Sequence, residues 1–283
     1  MASAKPIGVF DSGYGGLTIL REFNRILPEY DFIYLGDNAR APYGNRSFDS
    51  VYHYTREAVQ WFFQQGSSLV ILACNTASAK ALRTIQQQDL VAMKTSNRVL
   101  GVIRPTTEII GKFTRSKHVG ILATSGTVLS NSYPIEIHKF YPEIKIYQQA
   151  CPMWVPLIEN NEHENAGADY FVDEYLEKLF AQAKEIDCIL LGCTHYPLIR
   201  KKIAERISKE VKIISQGEIV AESLKDYLQR HPDIDKYCSK TGKSSFYTTD
   251  SAEDFDRHAS IFYSRTLYSK HVVLLPWDDQ SNV

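Results

Sequence analysis

The sequence predicts an α/β protein with two similar lobes, each a mostly parallel sheet flanked by helices, and an active site in the cleft between them. One observation behind this fold class is that short apolar runs alternate with amphipathic stretches from residue 7 to about residue 229. Such alternation is typical of parallel sheets that are covered by helices on both faces. Ligands of these folds gather at the carboxyl ends of the strands.

The predicted elements follow from these runs in chain order. Strands are expected at 7–10, 31–35, 69–73, 99–103, 118–123, 145–149, 188–191 and 211–214. Helical periodicity follows most of them, at 15–26, 47–65, 77–88, 127–140, 169–184, 197–208 and 217–229. The tail beyond His231 is richer in polar and aromatic residues, and its segment "SSFYTTD" is expected to form an edge strand or an ordered loop.

A weak internal repeat is the second observation. The segment "IGVFDSGYGG" (7–16) resembles "VGILATSGTV" (119–128), and "SLVILACNT" (68–76) resembles "DCILLGCTH" (187–195). Each half of the repeat therefore presents one turn and one cysteine. This pattern predicts two related lobes that face each other.

The lobe boundaries are expected at the polar segment 93–97 and near residue 210. The first lobe would comprise 1–97 plus 210–283 and carry Asp11 and Cys74. The second lobe, 98–209, would be inserted into the first and carry Cys193 and His195. A chain of 283 residues also favours about two domains.

Composition excludes several classes of protein. With 44% hydrophobic and 23% charged residues the chain has ordinary globular chemistry, and its net charge of −1 argues against a nucleic-acid partner. No apolar run is long enough to cross a membrane, so no membrane association is expected. The opening "MASAKP" lacks the pattern of a secretory signal, and the expected compartment is the cytoplasm.

The cysteines are expected to be free thiols. They are odd in number, scattered, and never arranged as CxxC, which indicates a reducing compartment rather than a disulfide framework; they are Cys74, Cys151, Cys188, Cys193 and Cys238. Cys188 lies in an apolar strand pattern and is expected to act as a small hydrophobe. Nothing in the sequence marks Cys151 or Cys238 as reactive.

Cys74 and Cys193 occupy matching positions, each after a predicted strand and before a predicted helix. Helix amides stabilise a thiolate and lower the pKa of a cysteine there. The polar pairs that follow, Asn75-Thr76 and Thr194-His195, provide donors suited to a carboxylate. A buried cysteine closing a strand is the alternative for one site, but two matching sites favour a functional interpretation.

Asp11 and His195 are the candidate acid–base groups beside the thiols. Asp11 could accept a thiol proton, orient a base or hold a substrate ammonium, and helix capping by Asp11 or Ser12 is the alternative. His195 could share a proton with Cys193 or with a substrate carboxylate, or serve as a cap or packed side chain. The turn after Asp11 is not GxGxxG, and one Cys-x-His leaves too few metal ligands, so neither a nucleotide cofactor nor a metal is expected.

Two loops add further candidates. In "GDNARAPYGNRS" (36–47), Tyr43 and Gly44 lie in a rigid turn with backbone donors. In "ATSGT" (123–127), hydroxyls precede a helix, although capping explains Ser and Thr there equally well. Arg40 and Arg46 could pair with carboxylates, although exposed surface arginine is the more common case.

These motifs resemble a known family, the glutamate racemases. The segments that carry the resemblance occur in the family's order, and they are "FDSGYGGLT", "GDNARAPYG", "ACNT", "ATSGT", "CPMWVPLIE" and "LGCTHYPL". The resemblance extends from Ile7 to about Leu228. At 214–217 the chain has "ISQG" where many members have an Asp-Ser-Gly-like string.

The resemblance implies a cofactor-independent isomerase that interconverts L- and D-glutamate and supplies D-glutamate for peptidoglycan, hence for cell-wall biogenesis and cell shape. It implies that Cys74 deprotonates the D-isomer with help from Asp11. Cys193 would deprotonate the L-isomer with help from His195 and Glu159. Substrate-binding positions would be Asp11, Ser12, Tyr43, Gly44, Asn75, Thr76, Thr124, Thr127, Thr194 and His195. A homodimer is a further expectation from the family.

Two thiols suit a racemase for a stereochemical reason. Inverting an α-carbon requires removal of a proton from one face and delivery of a proton to the other. A single base that kept the same proton would tend to restore the starting enantiomer. Two bases on opposite walls of a cleft solve this problem if one begins as thiolate and the other as thiol.

Three alternatives remain open at this point. A racemase of aspartate or a hydantoin would share the lobes and the thiol pair. A cysteine hydrolase would use Cys193 as nucleophile and His195 as base, although it needs only one thiol. A non-catalytic amino-acid-binding module would use the same turns without exchanging the α-hydrogen.

Overall fold

The computed structural model describes residues 4–276. In this range the strands are β1 (Ile7–Asp11), β2 (Phe32–Gly36), β3 (Leu69–Leu72), β4 (Arg98–Gly101), β5 (His118–Ala123), β6 (Lys145–Ala150), β7 (Cys188–Gly192), β8 (Lys212–Ile214), β9 (Ser244–Thr248) and β10 (Ser269–His271). They form two sheets in which every strand pair is parallel. The predicted α/β fold class is confirmed.

The α-helices lie between successive strands, as parallel connections require. They are α1 (Leu17–Ile26), α2 (Phe48–Gln64), α3 (Asn75–Lys80), α4 (Leu82–Thr84), α5 (Leu90–Ala92), α6 (Ile103–Thr107), α7 (Ser125–Ser130), α8 (Ser132–His138), α9 (Trp154–Glu159), α10 (Ala166–Gln182), α11 (Arg200–Ala204), α12 (Gly217–Arg230), α13 (Pro232–Asp235) and α14 (Ala252–Tyr263). Short 3₁₀ turns occupy Asn38–Arg40, Tyr43–Asn45, Ile110–Lys112 and Tyr196–Ile199, and Ile85–Asp89 is a π-helical turn.

The first sheet has six strands in the order β10-β9-β2-β1-β3-β4. Strand β1 lies near its centre and is buried along its whole length, because helices cover both of its faces. The second sheet has four strands in the order β6-β5-β7-β8, and its strand β7 is likewise buried throughout. The two thiol-bearing strand ends therefore belong to different sheets.

Strand pairing differs from the predicted lobe boundaries at both junctions. Strand β4, which begins at Arg98, pairs with β3 and extends the first sheet beyond residue 97. Strand β8 pairs with β7, so residues 212–214 lie in the second sheet rather than in the first lobe. The chain crosses between the sheets just after β4 and just after β8. The ends of the predicted first lobe, 1–3 and 277–283, lie outside the described residues.

Several elements differ in detail from the expectations. The segment "SSFYTTD" contains β9, which is not an edge strand because it pairs with both β2 and β10. The predicted helix 127–140 is broken at Asn131, which adopts a left-handed conformation between α7 and α8. Helices α6, α9 and α14 were not expected, because the first two are too short to show helical periodicity and the third lies in the polar tail.

Candidate active site

The carboxyl ends of β1, β3, β5 and β7 meet at one cavity of about 40 Å³. This is room for a few waters, since one water needs roughly 10–15 Å³ on the same scale. The lining residues come from both sheets and are Ser12, Pro42, Tyr43, Gly44, Asn45, Cys74, Asn75, Thr76, Thr124, Pro152, Val155, Pro156, Glu159, Cys193, Thr194 and His195. Both candidate thiols thus face the same cavity.

Cys74 caps the N-terminus of α3. The Ala77 N–H donates to its sulfur at 3.4 Å, and Ser12 Oγ lies 3.6 Å from it. Burial nevertheless raises the pKa of Cys74 to about 12, and the charge of Asp11 adds to this increase. The expectation that helix amides lower the pKa of this thiol is wrong for Cys74, because desolvation and a nearby carboxylate outweigh one N–H donor.

Cys193 has an imidazole neighbour instead. Its sulfur lies 3.9 Å from His195 Nδ1, and His195 Nε2 lies 2.9 Å from Glu159 Oε1. Burial alone would lower the pKa of His195, but the hydrogen bonds to Cys193 and Glu159 and their negative charges raise it well above its ordinary value. A protonated imidazole therefore lies beside the second sulfur. The Phe262 ring on α14 packs edge-on against His195, with the centroids 5.1 Å apart.

Asp11 lies near Cys74 and contacts Thr194 of the second sheet. It is fully buried, accepts from the Gly13 N–H at 2.9 Å, and has Thr194 Oγ1 3.4 Å from its other oxygen. Burial raises the pKa of Asp11, while His195 and the N–H groups of Gly13 and Gly16 oppose the increase. Asp11 does not line the cavity directly, and Thr194 connects it to the second sheet.

Hydroxyl groups from both sheets form a cluster on another wall. Thr76 Oγ1 lies 3.0 Å from Thr124 Oγ1 and 3.4 Å from Thr127 Oγ1. Thr124 also accepts from the Thr127 N–H at 3.3 Å, so it caps α7 while facing the cavity. Thr127 lies behind this layer and does not line the cavity. The cluster offers several donors where the two lobes meet.

Tyr43 faces the cavity, but its hydroxyl is already engaged. That hydroxyl donates to the buried Asp37, which also accepts from Arg40 Nε at 2.7 Å. Tyr43 can therefore offer a ligand its ring and backbone, not its hydroxyl. Arg40 also pairs with Glu57 and is partly buried, so the structure supports carboxylate pairing rather than a fully exposed arginine. The Lys80 ammonium donates to the Arg46 carbonyl at 2.6 Å, and this hydrogen bond holds the loop 36–47 that carries Tyr43.

Gly15 allows the two lobes to approach. A Cβ at this position would lie 2.2 Å from Thr194 Oγ1 and 2.4 Å from His195 Nδ1, distances that no side chain tolerates. Gly44 makes a similar approach to Thr124, where a Cβ would lie 3.0 Å away. Gly15 is therefore required by contact with the opposite lobe, and a side chain at Gly44 would need Thr124 to shift.

Sequence reasoning missed part of the site. The apolar wall formed by Pro152, Val155 and Pro156 was visible only as part of the motif "CPMWVPLIE". Phe262 had no sequence signal, because α14 follows the segment that carries the motifs. Every expected site residue either lines the cavity or, as with Asp11 and Thr127, contacts a residue that does.

Other kinds of site receive no support from the geometry. Over residues 4–276, no group of three or more His, Cys, Asp or Glu side chains could hold a metal ion. All five cysteines are free and buried. In the same range, the helices are too short or too polar to span a bilayer.

Comparison with known proteins assigns the family. The family model described as Asp/Glu/Hydantoin racemase matches residues 7–224. The chain belongs to this racemase family. It is therefore an amino-acid racemase, an isomerase, and the sequence-based resemblance is confirmed.

Individual relatives cover nearly the whole chain. A protein of Geobacter metallireducens named glutamate racemase is 37% identical over 271 residues, which are 96% of this chain and 97% of the relative. The crystal structure of a Bacillus anthracis glutamate racemase isoform has a TM-score of 0.86 at 34% identity and covers 95% of this chain and 98% of its own. The Francisella tularensis glutamate racemase, solved in complex with D-glutamate, has a TM-score of 0.85 at 32% identity, with 96% and 98% covered.

Proposed function

We propose that this racemase interconverts L- and D-glutamate without a cofactor, using Cys74 and Cys193 as its two bases. The observation that carries the proposal is that both sulfurs line one small cavity from the ends of strands in different sheets. The relatives named glutamate racemase support glutamate as the substrate.

The proposed reaction is a pair of proton transfers. The thiolate on one wall removes the α-proton, and the electron pair of the broken C–H bond delocalises into the adjacent carboxylate. The thiol on the opposite wall then gives its proton to the other face of the same carbon. Each turnover reverses which sulfur carries a proton, so the enzyme is ready for the opposite enantiomer.

Cys74 is proposed to deprotonate D-glutamate, and Cys193 to deprotonate L-glutamate. On the first side, the Ala77 N–H and the Ser12 hydroxyl would stabilise the Cys74 thiolate, and Asp11 would assist its deprotonation. On the second side, His195 would serve Cys193 in an orientation fixed by Glu159. Water exclusion would strengthen each of these interactions.

Polar groups around the sulfurs match the three charges of glutamate. Asn75, Thr76 and Thr194 with the Thr124–Thr127 cluster would bind carboxylate oxygens. The buried Asp11, with Ser12, would balance the ammonium group, and His195 would share a proton with a substrate carboxylate. The backbone around Tyr43 and Gly44 would receive the remaining carboxylate.

The cellular role follows from this chemistry as a further proposal. A glutamate racemase supplies D-glutamate for peptidoglycan synthesis, and we place the protein in the cytoplasm as a homodimer. Growth of a D-glutamate-requiring bacterium that expresses this chain, without added D-glutamate, tests the role. Failure of growth despite racemase activity in the lysate would contradict it.

Substrate choice is tested by chiral chromatography of purified protein incubated separately with L-glutamate, L-aspartate and a hydantoin. We expect D-glutamate to form until the enantiomers are equal, with no comparable turnover of the other two. Preferential turnover of aspartate or the hydantoin would replace glutamate as the substrate. An acyl-enzyme on Cys193 found by mass spectrometry would instead support a cysteine hydrolase, and saturable binding without turnover would support a binding module.

A further inference from the structure

Asn75 has one end of its amide fixed and the other end free. It is the first residue of α3, it is buried, and it lines the cavity. Its Oδ1 accepts a hydrogen bond from the Tyr133 hydroxyl at 2.6 Å. Its Nδ2 is also buried, yet it finds no partner within residues 4–276. A buried amide nitrogen without a partner is costly unless a ligand supplies the acceptor.

Tyr133 reaches Asn75 from the opposite lobe. It lies on α8, which follows β5 of the second sheet, whereas Asn75 follows β3 of the first. The Tyr133 side chain is fully buried. Burial raises the pKa of Tyr133 well above its ordinary value, so the hydroxyl keeps its proton and remains a donor.

Gln216 is a second neighbour of Tyr133. Its Nε2 donates to the Val102 carbonyl at 3.0 Å and to Thr106 Oγ1 at 3.2 Å. The Gln216 side chain also forms a hydrogen bond with the Tyr133 hydroxyl, which opposes the increase in the pKa of Tyr133. Because the Oδ1 of Asn75 can only accept, the Tyr133 hydroxyl directs its single proton to this oxygen.

Gln216 also joins the two connections between the lobes. Val102 follows β4, where the chain leaves the first sheet, and Gln216 follows β8, where the chain returns. A hydrogen-bond chain therefore runs from the paired connections through Tyr133 to the amide in the cavity. Gln216 belongs to the segment "ISQG", the part of the sequence that departs from the family's string.

We propose that Tyr133 and Gln216 are positioning residues that hold the Asn75 amide with Nδ2 toward a substrate carboxylate. This inference rests on the proposed function and names two further residues of its substrate site. Neither residue lines the cavity, and each acts through Asn75. The hydrogen bond between Tyr133 and Asn75 crosses the lobes, so the amide is oriented only when the lobes are closed on each other.

Steady-state kinetics of Tyr133→Phe in both directions test the proposal. We expect KM to rise by ~5- to 10-fold for both enantiomers, the effect of one net hydrogen bond, with kcat within about twofold of wild type. The matched control is Tyr30→Phe, since the hydroxyl of this buried tyrosine also donates at 2.6 Å, to Asp235 on a helix outside the site. It should leave KM unchanged.

A double-mutant cycle separates positioning from a general packing defect. Because Tyr133 acts through Asn75, Tyr133→Phe should raise KM no further in an Asn75→Ala background. An equal, additive increase in both backgrounds, or an unchanged KM in the single variant, would overturn the proposal. Gln216→Met provides a second variant and should raise KM in the same direction by a smaller factor.

Two controls keep the outcomes distinct. Thermal unfolding of each variant reports folding, so a KM change in a protein that unfolds like wild type belongs to the site. If wild type does not racemise glutamate, the proposed function fails. If wild type is active and Tyr133→Phe has wild-type KM for both enantiomers, only the positioning proposal fails.

Discussion

The two thiols occupy matching backbone positions but have opposite charged neighbours. Cys74 receives the Ala77 N–H and lies near the carboxylate of Asp11. Cys193 lies 3.9 Å from His195, an imidazole with a raised pKa that Glu159 holds in place. One sulfur thus lies near a carboxylate and the other near an imidazole. The internal repeat explains why the two cysteines have matching backbone positions. The side chains around each cysteine explain why their electrostatic surroundings differ.

This difference teaches how two similar lobes can run opposite proton transfers. With its pKa near 12, Cys74 keeps its proton in the ligand-free enzyme. A bound glutamate brings an ammonium group that would offset the charge of Asp11, so substrate itself would make this thiol easier to ionise. Because the enantiomers have equal free energies in water, kcat/KM must be the same in both directions. The asymmetry can appear only in kcat and KM separately.

Replacing either thiol is expected to have the largest effect. Cys74→Ser and Cys193→Ser should each lower racemisation by ~10⁴-fold or more, because a serine hydroxyl is a far weaker acid than a thiol. Cys74→Ser should lose α-hydrogen exchange from D-glutamate first, and Cys193→Ser from L-glutamate. Circular dichroism follows racemisation, and NMR follows the exchange.

Cys238→Ser is the matched control, since this thiol has the same 5% exposure as Cys74 but lies outside the cavity. It should remain fully active. If either active-site variant turns over substrate within tenfold of the wild-type rate in both directions, the two-base proposal is wrong.

A methyl group at Gly15 should damage one side of the site more than the other. In Gly15→Ala the new Cβ would collide with Thr194 and His195, so Cys193 loses the geometry of its partner. We expect kcat/KM to fall by ~10²-fold, the typical cost of a displacement of about 1 Å at a catalytic group. Gly167→Ala is the control, because its Cβ would find its nearest neighbour only at 4.0 Å. Wild-type kinetics of Gly15→Ala would contradict the close contact of Gly15 with Thr194 and His195 in the active enzyme.

The contributions of Asp11 and His195 should also be distinguishable through the pH dependence of stability. Asp11 and His195 both have raised pKa values in the fold, so each contributes stability that is lost as pH rises from its unfolded pKa through its folded pKa. The window for Asp11 opens near pH 4 and that for His195 near pH 6.5. Asp11→Asn should therefore flatten the acidic part of the profile, and His195→Asn the neutral part.

Urea unfolding across pH 4–9 measures these profiles. Asp11→Asn should also raise the free energy of unfolding at neutral pH relative to wild type, because it removes a buried charge, while losing activity. Identical pH profiles for both variants and wild type would mean that neither group titrates as the fold implies.

Much of the site could be predicted from the sequence because its residues follow strands directly. Cys74 and Cys193 each end an apolar run, and parallel strands carry such residues to one edge of a sheet. The motif "CPMWVPLIE" likewise located Glu159. At Cys74 and Cys193, the local sequence pattern alone therefore predicts where the side chain lies in the fold.

What could not be predicted depends on contacts between distant segments. Burial and Asp11 together set the pKa of Cys74, and neither is visible in the residues next to it. The engaged hydroxyl of Tyr43 depends on Asp37, and Gln216 gains its role only where both connections between the lobes meet. The order of β4 and β8 in the sheets was missed for the same reason, since strand pairing is not a local property.

The central claim is that the α-hydrogen leaves to one sulfur and arrives from the other. L-Glutamate incubated with wild-type enzyme in heavy water, sampled before a tenth of it has reacted, tests this most directly by NMR. The account predicts that the D-glutamate formed carries deuterium at the α-position while the remaining L-glutamate keeps its hydrogen. D-Glutamate that retains the original hydrogen would contradict it, because one base would then have carried the same proton between faces.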